Sequence, residues 1–434
     1  MGRRVLVIGG GAAGATAAAR AKRVDPSNEV VLIEAGPYIT HAPCAIPYAI
    51  DRETKLYIYT AEEFSKERGV RVYTNTKAEI TDGGVRLRGA HSGVLEWDYL
   101  IIATGATPVT PKIEGVELGG VYVVRHVAEI TQLTEALRKA RSVVIVGGGY
   151  IGLEMAETLL KMGKSVSIVE SGRWVLGRML DEDVGKLVNN YVVSQGAQLR
   201  LGETVKRVVG GERAEGVETT QGVVEGDVVV LSTGVRPNVE FAKSLGVKLG
   251  ETGAVYVDEY LETSIPKVYA AGDVAEMRHL VTNRPVWIPL APYANRMGYV
   301  AGTNTGLGDK RLRFPPVAGA SVTKFFDMYI GKVGLNEREA SEAGLRTRAV
   351  FIKTADKAPF MPDRREIYIK AIAHGDVLVG VQAVGYSQFV AAVIDFASQL
   401  IGKTLQEVIL AEYSYMPHTG PVWHPLVSAA RALD

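Results

Sequence analysis

Cysteine is almost missing from this sequence: Cys44 stands alone among 434 residues. No intramolecular disulfide can form, and zinc or iron–sulfur sites built from several cysteines of one chain are excluded, which fits a reducing, cytoplasmic setting. An excess of either charge is missing too. The 49 Lys and Arg against 48 Asp and Glu leave a formal +1, so no global field favours DNA, RNA or an anionic membrane, and neither nucleic acid nor membrane is an expected partner. No uncharged apolar run reaches the roughly 18 residues of a membrane span. The N-terminus imitates a signal peptide, yet the glycines from Gly9 make a poor apolar region and none is expected. Histidine is sparse, and His41, His418 and His424 lack metal-ligand spacing; they read as loop residues, and no metal is expected.

Glycine is plentiful, with 48 residues placed between apolar segments rather than in a repeat. The length predicts about three domains at roughly 150 residues each. Residues 5–8 are a short β-branched run, Gly9-Gly10-Gly11-Ala12-Ala13-Gly14 follows, and the alanine-rich stretch 15–21 reads as helix. Strand, tight turn and helix recur at 143–146, Gly147-Gly148-Gly149-Tyr150-Ile151-Gly152 and 153–160. After each unit a second apolar strand ends in an acid, Glu34 or Glu170, about 20 residues past the last glycine, as a dinucleotide-binding fingerprint requires.

The spacing has a physical basis. The first glycine makes the turn, the second lets backbone approach a pyrophosphate, the third lets helix pack on strand, and the helix start offers free N–H groups. The acid accepts hydrogen bonds from a ribose diol and repels a 2′-phosphate; Glu170 therefore leans toward NADH, with Arg173 near enough to accommodate NADPH. Two such sites imply an electron relay between two cofactors. Two further apolar strands end at Thr104-Gly105 and Thr233-Gly234, and a third ends at Gly272-Asp273.

This order of motifs resembles the pyridine nucleotide–disulfide oxidoreductase superfamily over nearly the whole chain. The resemblance implies an α/β fold with two Rossmann-like domains, for FAD (1–111 and 241–315) and for NAD(P)H (112–240), followed by a C-terminal α+β dimerisation domain (316–434). It places Gly9, Gly11, Gly14 and Glu34 at the ADP part of a tightly bound FAD and Asp273 near its ribityl chain and pyrophosphate. Tyr150 matches an aromatic that covers the flavin, and Glu154 an acid near the nicotinamide. Further cofactor contacts implied are Ala12, Ala35, Ala78, Ala103, Thr104, Gly105, Gly147, Gly149, Ile151, Gly152, Glu170, Gly234, Gly272, Pro289, Leu290 and Ala291.

Cys44 follows the FAD acid strand, where the superfamily carries its redox cysteine. A Cys-x4-Cys pair is absent, and Ala12-Ala13 stands where single-cysteine peroxidases carry a histidine. Cys44-Ala-Ile-Pro-Tyr48, the 287–292 segment, Asn295 and the run 321–326 resemble the coenzyme A disulfide reductase branch, which includes reducers of sulfur, polysulfide or O2. With one thiol, the substrate must bring the second sulfur: Cys44 attacks a low-molecular-weight disulfide and holds half of it as a mixed disulfide. Alternatively Cys44 cycles through sulfenic acid.

The resemblance puts coenzyme A on Thr16, Arg20 and Arg23, with Thr40 and Pro43 at its thiol arm; relatives have polar residues at the last two. It implies a homodimer in which Tyr415, or else Tyr413, reaches the partner's cysteine as a proton donor. A second family tyrosine appears here as Phe360-Met361. The expected activity is NAD(P)H-dependent reduction of coenzyme A disulfide; an NAD(P)H oxidase or sulfur reductase, and a redox-sensing flavoprotein that acts through partner binding, are the alternatives.

Overall fold

In the computed structural model, which describes residues 2–52, 54–125, 127 and 130–434, the chain opens with β1 (Arg4–Ile8), α1 (Ala12–Val24) and β2 (Glu29–Ile33). A 3-10 turn (Pro43–Ala45) runs into α2 (Ile46–Ala49), and β3 (Arg71–Tyr73) and β4 (Tyr99–Ile102) follow. The next unit holds β5 (Val121–Val123), β6 (Ser142–Val146), α3 (Tyr150–Lys161), β7 (Ser165–Glu170), α4 (Glu182–Ser194), β8 (Gln198–Leu201) and β9 (Val228–Leu231). The chain returns with β10 (Val268–Ala270) and α5 (Ala291–Leu307).

Both units are parallel sheets built on the same logic. The first has the order β10-β4-β1-β2-β3 and the second β8-β7-β6-β9-β5. Their central strands are apolar on both faces because both faces are covered: on the second sheet, helices pack on one side and a small antiparallel sheet packs on the other through Val208, Val217 and Val224, and residues 5–7 and 143–145 are at most 1% exposed. The return of β10 beside β4 makes the first unit discontinuous in sequence.

The last unit is an antiparallel sheet of β11 (Ser321–Phe325), β12 (Met328–Gly334), β13 (Thr347–Ala355), β14 (Glu366–His374) and β15 (Val377–Gly385), in the order β11-β12-β15-β14-β13. The short helix α6 (Glu337–Glu342) leaves β12, and α7 (Phe389–Ser398) and α8 (Pro425–Leu433) pack on the sheet. His424 lies in the loop before α8, as expected from spacing, but its side chain has a structural part. It caps α8 by accepting from the Leu426 N–H at 3.2 Å and is buried against Phe389, Phe396 and Tyr413.

Packing of α1 on α5 closes the first unit and shows what small residues do there. A Cβ on Gly298 would lie 2.3 Å from the Ala13 carbonyl oxygen, and one on Gly302 2.3 Å from that of Ala17, so the two backbones approach to a distance that only glycine allows. Similarly, a Cβ on Gly14 would meet the Gly9 oxygen at 1.8 Å; this glycine serves helix–turn packing.

Candidate functional site

One cleft of about 3190 Å³ runs between the three units. Gly9 and Gly11 line it, and Gly11 precedes α1 without any side-chain cap, which leaves the first-turn N–H groups to a ligand. Space for a cofactor is visible at the same place: among the described residues, a Cβ added to Gly11 would touch nothing within 4 Å, and the same holds for Gly149 at the uncapped start of α3.

The two acids are held alike. Glu34 accepts from the N–H of Gly10 and of Gly36, each at 2.7 Å, and Glu170 from those of Gly148 at 2.7 Å and Gly172 at 2.6 Å. Each carboxylate is locked by its own fingerprint turn at the cleft wall, where an oxygen retains lone pairs for a diol. Two phosphate-approach turns, two free helix starts and two fixed acceptors fit two dinucleotides.

Thr104, Gly105, Ala103, Gly272 and Asp273 line the first half of the cleft with Ala12, Ala35, Pro289, Leu290 and Ala291; Gly147, Ile151 and Gly234 line the second. Asp273 pairs with Arg125 at 3.0 Å, both largely buried. Sequence reading missed Arg125, since a lone arginine far upstream carries no motif. Gly14 and Gly152 sit behind the turns, and Ala78, in a strand of a small antiparallel sheet, lies outside the cleft lining.

Where the second unit meets the C-terminal sheet, α3 presents three side chains to β11. The Tyr150 hydroxyl donates to Ser321 Oγ at 2.8 Å, Thr323 Oγ1 to Glu154 Oε1 at 3.0 Å, and Lys324 Nζ to Glu157 Oε1 at 2.5 Å. Burial pushes Glu154 up to about 7; Glu157 adds to this, while the Thr323 hydrogen bond and Lys324 oppose it. A carboxyl in such a setting carries a proton part of the time at neutral pH.

Cys44 is exposed at the cleft wall in the 3-10 turn, beside Thr40 and Pro43. Thr40 adopts φ 50° and accepts from the Tyr59 N–H at 2.9 Å, which fixes the loop that carries the thiol. On the outer face of α1, Thr16 donates to Asn295 at 2.9 Å; Arg20 bonds Thr303 at 2.9 Å and stacks 4.3 Å from the Tyr299 ring centre, and Arg23 is exposed in the last turn. These residues and Cys44 share the cleft.

The two C-terminal tyrosines differ. Tyr413 donates to the Val422 carbonyl at 2.9 Å and packs on Phe396, whereas Tyr415 is 45% exposed, outside the cleft lining of its own chain. Among the described residues no helix is long and apolar enough to cross a membrane.

Residues 3–298 match the family model described as pyridine nucleotide-disulphide oxidoreductase, and 320–420 match that family's dimerisation domain. The chain is 42% identical to an NAD(P)H coenzyme A polysulfide/persulfide reductase of Pyrococcus horikoshii, over 100% of this chain and 99% of the relative. It is 35% identical to an NADH oxidase of Methanocaldococcus jannaschii over 98% of each. Among solved structures, an NAD-dependent persulfide reductase from A. fulgidus superposes with a TM-score of 0.94 at 34% identity, covering 99% of this chain and 83% of that one.

Proposed function

Because the chain belongs to the pyridine nucleotide-disulphide oxidoreductase family and is an FAD-dependent NAD(P)H oxidoreductase, we propose that it reduces sulfur–sulfur bonds of small persulfides, polysulfides and disulfides, with Cys44 as nucleophile and coenzyme A as bound thiol or substrate. The observation that carries this reading is the exposed single thiol in the wall of a cleft that also holds both dinucleotide turns. FAD, when bound, passes electrons taken from NAD(P)H toward sulfur. Gly11, Glu34 and Asp273 would hold it, and Gly149 and Glu170 would hold the nicotinamide nucleotide.

The chain's own chemistry follows from one cysteine. The Cys44 thiolate attacks a substrate R–S–S–R′, the S–S bond breaks, R′S⁻ leaves and takes a proton, and Cys44–S–S–R remains. Restoring the thiolate and releasing RSH needs two electrons and a proton. No second thiol exists to supply the electrons, so they derive from NAD(P)H. Thr16, Arg20 and Arg23 form a polar, basic approach for the phosphates of coenzyme A, and Pro43 and Thr40 flank its thiol end.

Its dimerisation segment makes the protein a homodimer in this reading, with Tyr415 of each chain serving the other's Cys44. Residues 1–111 with 241–315, 112–240 and 316–434 are the FAD, NAD(P)H and dimerisation domains. A second reading, an NADH oxidase, is favoured by the 35% identical relative of that name and by Phe360-Met361, which offer no hydroxyl to a leaving thiolate.

Intact-mass measurement of the non-reduced protein beside Cys44→Ser tests the proposal, together with product analysis under NADH. A thiol-reversible coenzyme A adduct absent from the variant, with sulfide or thiol released on turnover, is expected. A bare or oxygenated Cys44 with peroxide or water as the product would overturn it in favour of the oxidase.

A further inference from the structure

We propose that Glu157 and Lys324 are a positioning pair that holds Glu154 against the cleft and sets the charge this carboxyl carries there. Glu157 is 2% exposed, and its Oε1 takes both Lys324 and Lys161 at 2.5 Å while its Oε2 has no hydrogen-bond partner among the described residues. A buried carboxylate with an orphan oxygen is costly. Packing alone would be served as well by an apolar residue at this point of α3, so the charge itself has work to do.

Geometry names the work. Tyr150, Glu154 and Glu157 follow one another at i, i+4 and i+7 on one face of α3 and meet Ser321, Thr323 and Lys324 on β11. The cation thus comes from the dimerisation unit and the anion from the nucleotide-binding helix, and the pair ties the two together one turn beyond Glu154. The groups facing Glu154 are Glu157 and Tyr150 on its own helix, Thr323 and Lys324 on β11, and Tyr48 on α2. Glu157 disfavours a negative Glu154 and Lys324 favours it. Lys161 keeps Glu157 partnered if Lys324 is lost, so Lys324 acts chiefly on the charge balance. The inference rests on the reading that Glu154 faces the nicotinamide, and it concerns NAD(P)H, not the sulfur substrate.

The test is an infrared pH titration of the holoenzyme without sulfur substrate. The protonated-carboxyl band that disappears in Glu154→Gln reports Glu154, with its midpoint expected near 7 in the wild type. Glu157→Gln is expected to move that midpoint down and Lys324→Met to move it up, each by about one pH unit, the scale of a charge a few ångström away. The pH dependence of NAD⁺ affinity should move with it. Midpoints that stay fixed, or that move in the same direction in both variants, overturn the pair's role, because a purely structural contact has no sign. If the midpoints split while Glu154→Gln leaves NAD⁺ affinity untouched, the pair stands and the placement of the nicotinamide fails. Failure of Cys44 chemistry changes none of these readings.

Discussion

Replacing Lys370 with Met should loosen the joint between the second sheet unit and the C-terminal sheet. Lys370, on β14, is 5% exposed and reaches Asp183 at 2.8 Å, Glu337 at 2.5 Å and Asp181 at 3.5 Å. Burial opposes its charge, but these acids outweigh it and hold its pKa above the ordinary lysine value. Removing one member of a buried ion pair costs about 3 to 5 kcal/mol. Here Asp183 and Glu337 are 39% and 48% exposed and rehydrate, so the cost falls on Asp181, 8% exposed. It keeps the Gln382 side chain at 2.6 Å and the Glu337 N–H at 3.0 Å, and with those bonds intact about 2 to 3 kcal/mol is expected. The pH dependence has a sign. Burial raises the Asp181 pKa above 3.8 and Lys370 restrains that rise. Without Lys370 the folded pKa climbs further, so the deficit against the wild type grows as pH rises from the wild-type folded value through the higher one of the variant. Urea unfolding at pH 5 and pH 8 measures both, and adding Asp181→Asn should return more than half the loss at pH 8. A deficit under about 1 kcal/mol, or one equal at the two pH values, would refute the reasoning.

Glu170→Ala removes the acceptor for two turn amides and, in the proposed function, for a ribose diol, and should lower kcat/KM for NADH about tenfold or more while changing that for NADPH less, as hydrogen bonds to a charged group are worth about 1.5 to 3 kcal/mol; steady-state kinetics with both nucleotides decides, and an unchanged ratio counts against the assignment. His424 is pushed down to about 4 by burial. Between about 4 and 6.5 the unfolded chain binds more protons, so stability should fall as pH drops through that window, by up to about 3 kcal/mol. His424→Asn, which can still cap α8, should flatten the profile, and an unaltered slope there would disprove the origin.

Sequence reading reached what is encoded locally. Each fingerprint is a strand, a turn and a helix within some 20 residues, and its backbone requirements are written as glycines, so Gly9 to Glu34 and Gly147 to Glu170 were legible with their geometry. Cys44 became legible through its offset from Glu34. What escaped is made of partners far apart in the chain: Arg125 with Asp273, Glu157 with Lys324, Lys370 with Asp181. No period or motif marks them, since each ion pair is set by how separate sheets dock. His424 escaped because a capping ring inside an aromatic cluster looks, in sequence, like any residue before a proline.

The same contrast explains how the site is built. The two fingerprint turns and their acids lie within single units, where local turns suffice to place them. The contacts around Glu154 and Glu157 lie across units: Glu154 takes its hydrogen bond from β11, and Glu157 takes Lys324 from the same strand besides Lys161 of its own helix. In the proposal made above, a correctly charged Glu154 needs the C-terminal sheet docked as well, which ties this carboxyl to the segment that matches the family's dimerisation domain.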